Sequence, residues 1–133
     1  MASSQAPQTG SGFAEVNSTR IAYDVAGSGH PLLLLHAGLG DRRMWDAQAP
    51  AFAEHFTVIR FDARGFGETR MPTAPFTAYA DAIGLLDYLG IAQAHLIGVS
   101  MGSQTAIEAA VAAPERVSAL VAVAARTGMP VSE

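Results

Sequence analysis

The chain has 133 residues, of which 50% are hydrophobic and 15% are charged, a balance that is typical of one packed globular domain and not of a disordered chain. Eight Lys and Arg against twelve Asp and Glu give a net charge of -4 at pH 7, without a basic cluster, so nucleic acid and anionic membrane surfaces are excluded as expected partners. Cysteine is absent, which excludes disulfide bonds and thiolate metal sites.

The first twelve residues differ in composition from the rest. Residues 1–12 are rich in Ser, Gln, Thr, Pro and Gly, with neither a cationic start nor an apolar stretch, so we expect a disordered leader and not a signal peptide. The domain is expected to span residues 13–133. Its longest apolar runs, 32–35 and 119–125, are far shorter than the roughly 20 residues that cross a bilayer, and we expect a cytoplasmic protein without membrane contact.

Two short segments with alternating side chains open the domain. Residues 13–17 and 20–25 surround a Ser-Thr pair, which predicts a β-hairpin. The run of four leucines at 32–35 shows no alternation. Glycine and proline at its border favour a strand that is buried on both faces over a helical segment.

A helix is predicted over residues 42–55. Its apolar side chains recur at helical spacing along one stripe, formed by Trp45, Ala49, Phe52 and Phe56, although Pro50 strains such a helix. Residues 57–61 are predicted to form a second buried strand.

Loops and a second helix follow. Residues 62–67 and 72–75 are predicted loops because they are rich in glycine, proline and polar residues. An amphipathic helix that ends near Gly90 is predicted from the spacing of Tyr79, Ile83, Leu86 and Leu89.

The remaining elements define the fold class. A strand at 95–97 precedes an alanine-rich helix that Pro114 closes, and residues 117–125 form the last predicted strand. Alternation of strands and helices after a hairpin predicts an α/β three-layer sandwich with a mostly parallel sheet and an N-terminal antiparallel hairpin, since parallel neighbours need crossover helices. Ligands of such sheets bind at the carboxyl ends of the strands, where we expect a site.

Residues 98–102 read Gly-Val-Ser-Met-Gly at the junction of a predicted strand and a predicted helix. A nucleophilic serine on such a turn needs small residues two positions before and after it, and Gly98 and Gly102 meet that demand. Ser100 would then lie at the helix N-terminus, where the Met101 N–H and the helix dipole stabilise a developing oxyanion. The alternative is a tight turn with an incidental serine.

The loop at residues 36–40, which reads His-Ala-Gly-Leu-Gly, is the candidate for the other half of an oxyanion hole. An N–H near Gly38 is expected to point at the same spot as that of Met101. His36 precedes the serine in the chain, so we expect it to brace the loop by hydrogen bonds and not to act as a base. Trp45 and Met101 are candidates for lining a small apolar pocket, with simple packing as the alternative.

Five motifs in this order resemble the N-terminal half of an α/β-hydrolase-fold protein, in the branch of haloperoxidase-like esterases and enol-lactonase-like enzymes. They are LHAG at 35–38, MWD at 44–46, DARGFG at 62–67, GVSMG at 98–102 and PERV at 114–117. The resemblance covers about residues 13–125 and implies the fold strongly and the substrate weakly.

The resemblance also implies residue roles. Ser100 is expected to be the nucleophile of a serine hydrolase acting on a small ester or lactone, with Met101 as one oxyanion donor and the loop around Ala37 and Gly38 supplying the other. Asp62, Arg64, Gly65 and Gly67 match a loop that is mainly structural in the family. Ala37 and Ser103 stand where glycine is commoner, and Ser103 is expected to crowd the helix start or to donate a polar contact.

In the family the catalytic acid and base follow later strands, so the resemblance implies that this chain is truncated after its sixth strand and hydrolyses poorly alone. None of its histidines is placed as a base for Ser100: His30, His36, His55 and His95 all precede it. The strand at 117–125 would be an exposed apolar edge. We expect it to pair with a second copy or with a complementing C-terminal fragment, and a non-catalytic split or engineered fragment is the alternative function.

A dinucleotide-binding site is a competing interpretation. Gly38 and Gly40 follow a strand, and Asp62 lies about 20 residues further on, as a ribose-binding carboxylate would. Arg43, however, occupies the third glycine position. No metal and no organic cofactor is expected, since the histidines and carboxylates lack ligand spacing. Ester, lactone, amide, peroxide and carbon–carbon substrates stay open.

Overall fold

The computed structural model describes residues 7–71 and 73–125. Within this part of the chain, six strands form one sheet in the order β1-β2-β4-β3-β5-β6. The strands are β1 Gly10–Val16, β2 Thr19–Ala26, β3 His30–Leu35, β4 Phe56–Phe61, β5 Ala94–Val99 and β6 Val117–Val123. The α-helices are α1 Ala49–Phe52, α2 Ala78–Tyr88 and α3 Met101–Ala112, and single 3₁₀ turns span Arg42–Trp45 and Pro114–Arg116.

The predicted hairpin is confirmed, and it begins earlier than expected. β1 pairs antiparallel with β2 from Gly10 opposite Val25 to Val16 opposite Thr19. The last three residues of the expected disordered leader, residues 1–12, therefore belong to a strand. Their composition misled the prediction, because strand pairing uses backbone groups that glycine also has. Residues 1–6 lie outside the described part.

β3 lies at the centre of the sheet and is buried on both faces, as the leucine run predicted. It pairs in parallel with β4 on one side and β5 on the other. Successive side chains point to opposite faces, so Leu33 and Leu35 pack towards α2 and α3. Leu32 and Leu34 pack on the opposite face against Trp45.

The three-layer arrangement follows from these two faces. One face carries α2 and α3, whose buried residues include Ala82, Leu85, Leu86, Ala106 and Ala109. The other face is covered by the segment between β3 and β4. None of the helices in the described residues has the length and apolar character needed to cross a membrane.

The single helix predicted over residues 42–55 is wrong. The chain there makes a 3₁₀ turn at Arg42–Trp45, followed by the short helix α1. Pro50 lies in the first turn of α1, where a missing N–H is tolerated, so it starts a helix and does not interrupt one. The apolar stripe was nevertheless located correctly, since Trp45 and Ala49 are buried against Leu32 and Val58.

Two leucines provide a matched test of this packing. Leu33 is 0% exposed at the centre of the sheet, whereas Leu39 is fully exposed at 104%. We expect Leu33→Ala to lower the free energy of unfolding by about 2–5 kcal/mol, because it removes buried methyl groups and leaves a cavity. Leu39→Ala should change it by less than about 0.5 kcal/mol. Chemical denaturation measures both, and equal effects would contradict the packing described.

Candidate active site

The loops that follow β3, β4 and β5 meet at the carboxyl edge of the sheet. These three strands run parallel to one another, so their carboxyl ends lie together. Ser100 directly follows β5 and precedes α3, and it is exposed to solvent. The predicted strand-turn-helix context of the serine is therefore confirmed.

The backbone at Ser100 is in an unusual conformation. Its φ of 53° and ψ of -113° lie outside the regions that L-residues favour. The Ser100 N–H donates to the Val123 carbonyl of β6 at 2.9 Å, and the Ser100 carbonyl accepts from the N–H groups of Ser103 and Gln104 at 2.9 and 3.1 Å. Hydrogen bonds on both sides hold a conformation that is otherwise costly.

Gly98 and Gly102 permit the close approach of β5, α3 and β3. A methyl group on Gly98 would lie 2.4 Å from the Gly102 carbonyl oxygen, and one on Gly102 would lie 2.2 Å from the Leu35 carbonyl oxygen. No side chain fits at either distance. The two glycines of the motif are thus required by sterics, as the sequence predicted.

Ser103 donates a polar contact at the start of α3. Its hydroxyl is buried and donates to the Ser100 carbonyl at 2.6 Å. Ser103, which stands where glycine is commoner in the family, was expected either to crowd the helix start or to donate a polar contact. The structure has the polar contact. The side chain adds a third hydrogen bond to the carbonyl of the strained residue.

Gly38 lies beside Met101. A methyl group on Gly38 would lie 3.5 Å from the Met101 Sδ and 3.6 Å from its Cβ. The Ala37 N–H donates to the Met44 Sδ at 3.1 Å, so this amide already has a partner. In the described part of the chain, the amides of Gly38 and Met101 donate to no protein acceptor, which leaves Gly38 and not Ala37 as the candidate donor.

His36 braces the loop, as expected. It is 2% exposed, and its Nε2 accepts a hydrogen bond from the Ala63 N–H at 3.0 Å. The ring proton is therefore on Nδ1, which donates to the Ala37 carbonyl at 2.8 Å. The Phe66 ring packs edge-on against the imidazole, with 5.3 Å between centroids. With both nitrogens engaged, His36 has none free to take a proton from Ser100.

The Asp62 carboxylate ties the loops after β3 and β4 together. It is 1% exposed and accepts from the Arg42 N–H at 2.8 Å, from the Arg42 guanidinium at 2.5 Å and from the Glu68 N–H at 2.9 Å. Because this carboxylate is buried and hydrogen-bonded within the protein, it is not accessible to a ribose hydroxyl. Asp62 therefore does not support a dinucleotide-binding site.

Asp41 caps the 3₁₀ turn that follows the Gly38 loop. Its side chain accepts from the Arg43 N–H at 2.9 Å and from the Arg43 guanidinium at 2.8 and 3.0 Å. These hydrogen bonds lower the pKa of Asp41 to about 2. The cap therefore stays ionised at neutral pH.

A small cavity of about 70 Å³ lies next to the serine turn. Its apolar wall is formed by Leu35, Phe61, Phe66, Phe76 and Met101. Met101 was predicted to line a pocket, and it does so. Trp45 was predicted to line the same pocket, with simple packing as the alternative. It is 5% exposed in the hydrophobic cluster on the opposite face of the sheet, so the packing alternative is the one found.

One wall of the cavity contains a buried ion pair that the sequence did not reveal. Arg64 donates to both Asp81 oxygens, at 2.7 and 3.1 Å. Asn17 completes the cluster, because its side chain donates to Asp81 at 3.0 Å and its carbonyl accepts from Arg64 at 2.7 Å. The sequence offered Arg64, which matches a mainly structural loop of the family, but nothing that paired it with Asp81 of α2. The charges compensate one another, so the cavity has no free cation or anion in this wall.

The candidate site described above combines side chains with backbone amides. Within residues 7–71 and 73–125, no group of three or more His, Asp or Glu side chains is arranged to hold a metal ion. Ser100, Met101 and Gly38 are brought together, His36 supports them, and Ala37 and Trp45 are engaged elsewhere.

Comparisons with known proteins identify the fold family of the chain. The family model for the alpha/beta hydrolase fold matches residues 30–133. A protein of Mycobacterium tuberculosis named "Putative non-heme bromoperoxidase" is 41% identical over 110 residues, which cover 80% of this chain and 42% of that protein. A soluble epoxide hydrolase from Corynebacterium sp. is 38% identical over 96 residues, or 70% of this chain and 34% of its own length.

The chain is also similar to solved structures of hydrolases. The enol-lactonase from Burkholderia xenovorans has a TM-score of 0.78 and 33% identity, and the match covers 82% of this chain and 45% of that one. The chain thus spans less than half of the length of these three relatives.

Substitution of Gly102 tests the close approach at the serine turn. Alanine usually stabilises a helix by about 1 kcal/mol relative to glycine, but here its methyl group would lie 2.2 Å from the Leu35 carbonyl oxygen. We expect Gly102→Ala to lower the free energy of unfolding by about 1–3 kcal/mol through overpacking. Gly40→Ala is the matched control, because its methyl group would lie 3.8 Å from the Met44 Cβ. A stabilising effect of Gly102→Ala in thermal denaturation would contradict the geometry.

Proposed function

Since the chain belongs to the alpha/beta hydrolase fold family, we propose that it is part of a serine hydrolase that acts on a small ester or lactone. Ser100 is the nucleophile in this proposal. The names of its relatives, which include an epoxide hydrolase and an enol-lactonase, support hydrolysis as the reaction class. Its cytoplasmic location stays a prediction from the sequence.

The backbone conformation of Ser100 is the observation that carries the proposal. A φ of 53° at a non-glycine residue costs on the order of 1–3 kcal/mol and persists where the surrounding structure enforces it. A tight turn with an incidental serine would not need such a residue at this position. The strained turn places the exposed residue Ser100 directly after the end of β5, which supports our proposal of a nucleophile elbow.

Two amides supply the oxyanion hole of the proposed reaction. When the Ser100 Oγ attacks a carbonyl carbon, the carbonyl oxygen gains negative charge. The N–H groups of Met101 and Gly38 have no protein acceptor among the described residues, and Gly38 lies beside the Met101 side chain. Each such donor stabilises the transition state by about 3 kcal/mol.

The proton of the Ser100 hydroxyl needs an acceptor that the described residues do not provide. No imidazole nitrogen in them contacts the hydroxyl, and the nearest loop histidine, His36, has both nitrogens engaged. Loss of a triad base lowers turnover by about 10⁶ and leaves roughly 10³ to 10⁴ over water from the oxyanion hole and binding. We therefore propose that residues 7–125 form the nucleophile half of the site and turn over slowly without a base from elsewhere.

The cavity beside the turn favours a small apolar acyl group. Its volume of about 70 Å³ is well below the roughly 300–1,000 Å³ of pockets for drug-sized ligands. Its apolar wall includes the side chains of Leu35, Phe61, Phe66, Phe76 and Met101. The charges of the Arg64–Asp81 pair in the other wall compensate each other. A charged acyl group would find no free partner in that wall.

A second candidate function rests on β6. Among the described residues this strand is the edge of the sheet, and its side chains Leu120, Val121 and Val123 are 37–51% exposed. An apolar edge with free backbone groups pairs readily with another strand. We propose that β6 associates with a second copy or with a complementing fragment, whether or not the chain is catalytic.

A fluorophosphonate tests the proposed nucleophile, because the serine oxygen attacks phosphorus and displaces fluoride. We expect slow labelling confined to Ser100, with a rate that rises about tenfold per pH unit, since the hydroxyl must ionise without a base. Intact-mass and peptide mass spectrometry measure the rate and the position. Ser100→Ala should abolish labelling.

The exposed loop residue Ser28 provides the control, and Ser28→Ala should label like the parent protein. Equal labelling of several serines would contradict an elbow at Ser100. Rapid labelling at neutral pH would instead contradict the absence of a base among the described residues.

Light scattering tests association through β6. We expect the weight-average mass to rise with protein concentration. Val121→Lys should suppress the rise, because a lysine on an edge strand disfavours strand pairing. Val111→Lys on α3 is the matched control, since Val111 is 77% exposed but lies outside the edge. A monodisperse monomer at high concentration would refute the association.

A further inference from the structure

Two histidines and a serine meet at the amino edge of the sheet, at the opposite end of the parallel strands from Ser100. His30 begins β3, His95 is the second residue of β5, and Ser118 is the second residue of β6. The Ser118 Oγ lies 2.8 Å from the His30 Nε2 and 2.8 Å from the His95 Nδ1. The two imidazole rings are 4.2 Å apart between centroids.

An irregularity in strand pairing places the serine there. Val117 pairs with Ala94 and Ala119 pairs with His95, so consecutive residues of β5 face residues of β6 that are two apart. Ser118 is the extra residue of a β-bulge. Bulges redirect side chains and are common beside functional sites. Here the bulge brings the hydroxyl between two imidazoles that belong to other strands.

The hydrogen bonds show that the two ring nitrogens point at a common position. A hydroxyl has one proton, so Ser118 donates to one imidazole and accepts from the other or from solvent. Both rings are held on strands of the sheet, and the Phe56 ring packs edge-on against His95 with 5.9 Å between centroids. Neutral imidazole is the form that binds metals.

We propose that the His30 Nε2 and the His95 Nδ1 form a binding site for a divalent transition-metal ion, with Zn²⁺ as the test ion. Imidazole suits Zn²⁺, Cu²⁺ and Ni²⁺, and zinc–nitrogen distances are about 2.0–2.1 Å. The metal ion takes the position between the rings that the Ser118 hydroxyl now bridges, and water completes its coordination. Two imidazoles give weaker binding than the four protein ligands of a structural zinc site.

This site is independent of the proposed hydrolase function. It lies at the other edge of the sheet and shares no residue with the serine turn. No local pattern in the sequence indicates this site, because His30 and Ser118 are 88 positions apart and His95 and Ser118 are 23 apart. Its chemistry arises only when the three strands are aligned and β6 is bulged.

Titration of the untagged protein with Zn²⁺, followed by imidazole ¹⁵N NMR, tests the proposal at the level of single atoms. We expect saturable shifts of the His30 Nε2 and the His95 Nδ1 with the same apparent Kd. His36, whose nitrogens are both hydrogen-bonded within the protein, should not shift. Coordination through these two different ring positions follows from the distances to Ser118 and would not arise from random surface binding.

Matched variants complete the test. His30→Gln and His95→Gln should each weaken Zn²⁺ binding at least about tenfold, since loss of even an indirect metal partner costs 10–100-fold. His55→Gln, in the exposed residue before β4, should bind like the parent protein. Circular dichroism verifies that each variant is folded. Shifts at a single histidine, unchanged binding in both variants, or no binding at all would reduce the cluster to a hydrogen-bonded bridge and overturn the proposal.

Discussion

The close approach of α3 to β3 and β5 is the constraint on which the carboxyl edge of the sheet depends. It requires the absence of side chains at Gly98 and Gly102, where added methyl groups would meet backbone oxygens at 2.4 and 2.2 Å. Only Ser100 lies between the end of β5 and the start of α3, and it takes the strained φ of 53°. Ser100 is exposed at this turn, and hydrogen bonds from the hydroxyl and the N–H of Ser103 to its carbonyl hold the turn in place.

The Gly38 loop is positioned by a different kind of interaction. Two buried polar groups attach it to the segment after β4: the His36 Nε2 accepts from Ala63, and the Asp62 carboxylate accepts from Arg42. Buried polar groups are costly unless they are paired, and here each is paired across two loops. Loss of one partner would leave the other unsatisfied, so these hydrogen bonds oppose separation of the two loops. This explains how a flexible glycine loop can stay beside Met101.

Much of the fold was predictable because its signals are local. The leucine run at 32–35 and the Gly-Val-Ser-Met-Gly motif at 98–102 specify a buried strand and a sharp turn from their own residues. The segment 42–55 was not predictable in the same way, since helical spacing of apolar residues also fits two short turns that pack the same side chains. Two interactions at the site depend on tertiary contacts that no spacing in the sequence encodes. They are the hydrogen bond from the Ala37 N–H to the Met44 sulfur and the Arg64–Asp81 ion pair.

β6 connects the exposed edge of the sheet to the strained turn. The carbonyl of Val123, the last residue of β6, accepts the hydrogen bond from the Ser100 N–H, so the edge strand is one of the supports of the serine. An edge strand with one pairing partner and half-exposed side chains opens more easily than a central strand. Any segment that pairs with the free side of β6 would reduce that opening and would thereby hold the Ser100 backbone more rigidly. The stability of the turn and the occupancy of the edge are in this way linked through one hydrogen bond.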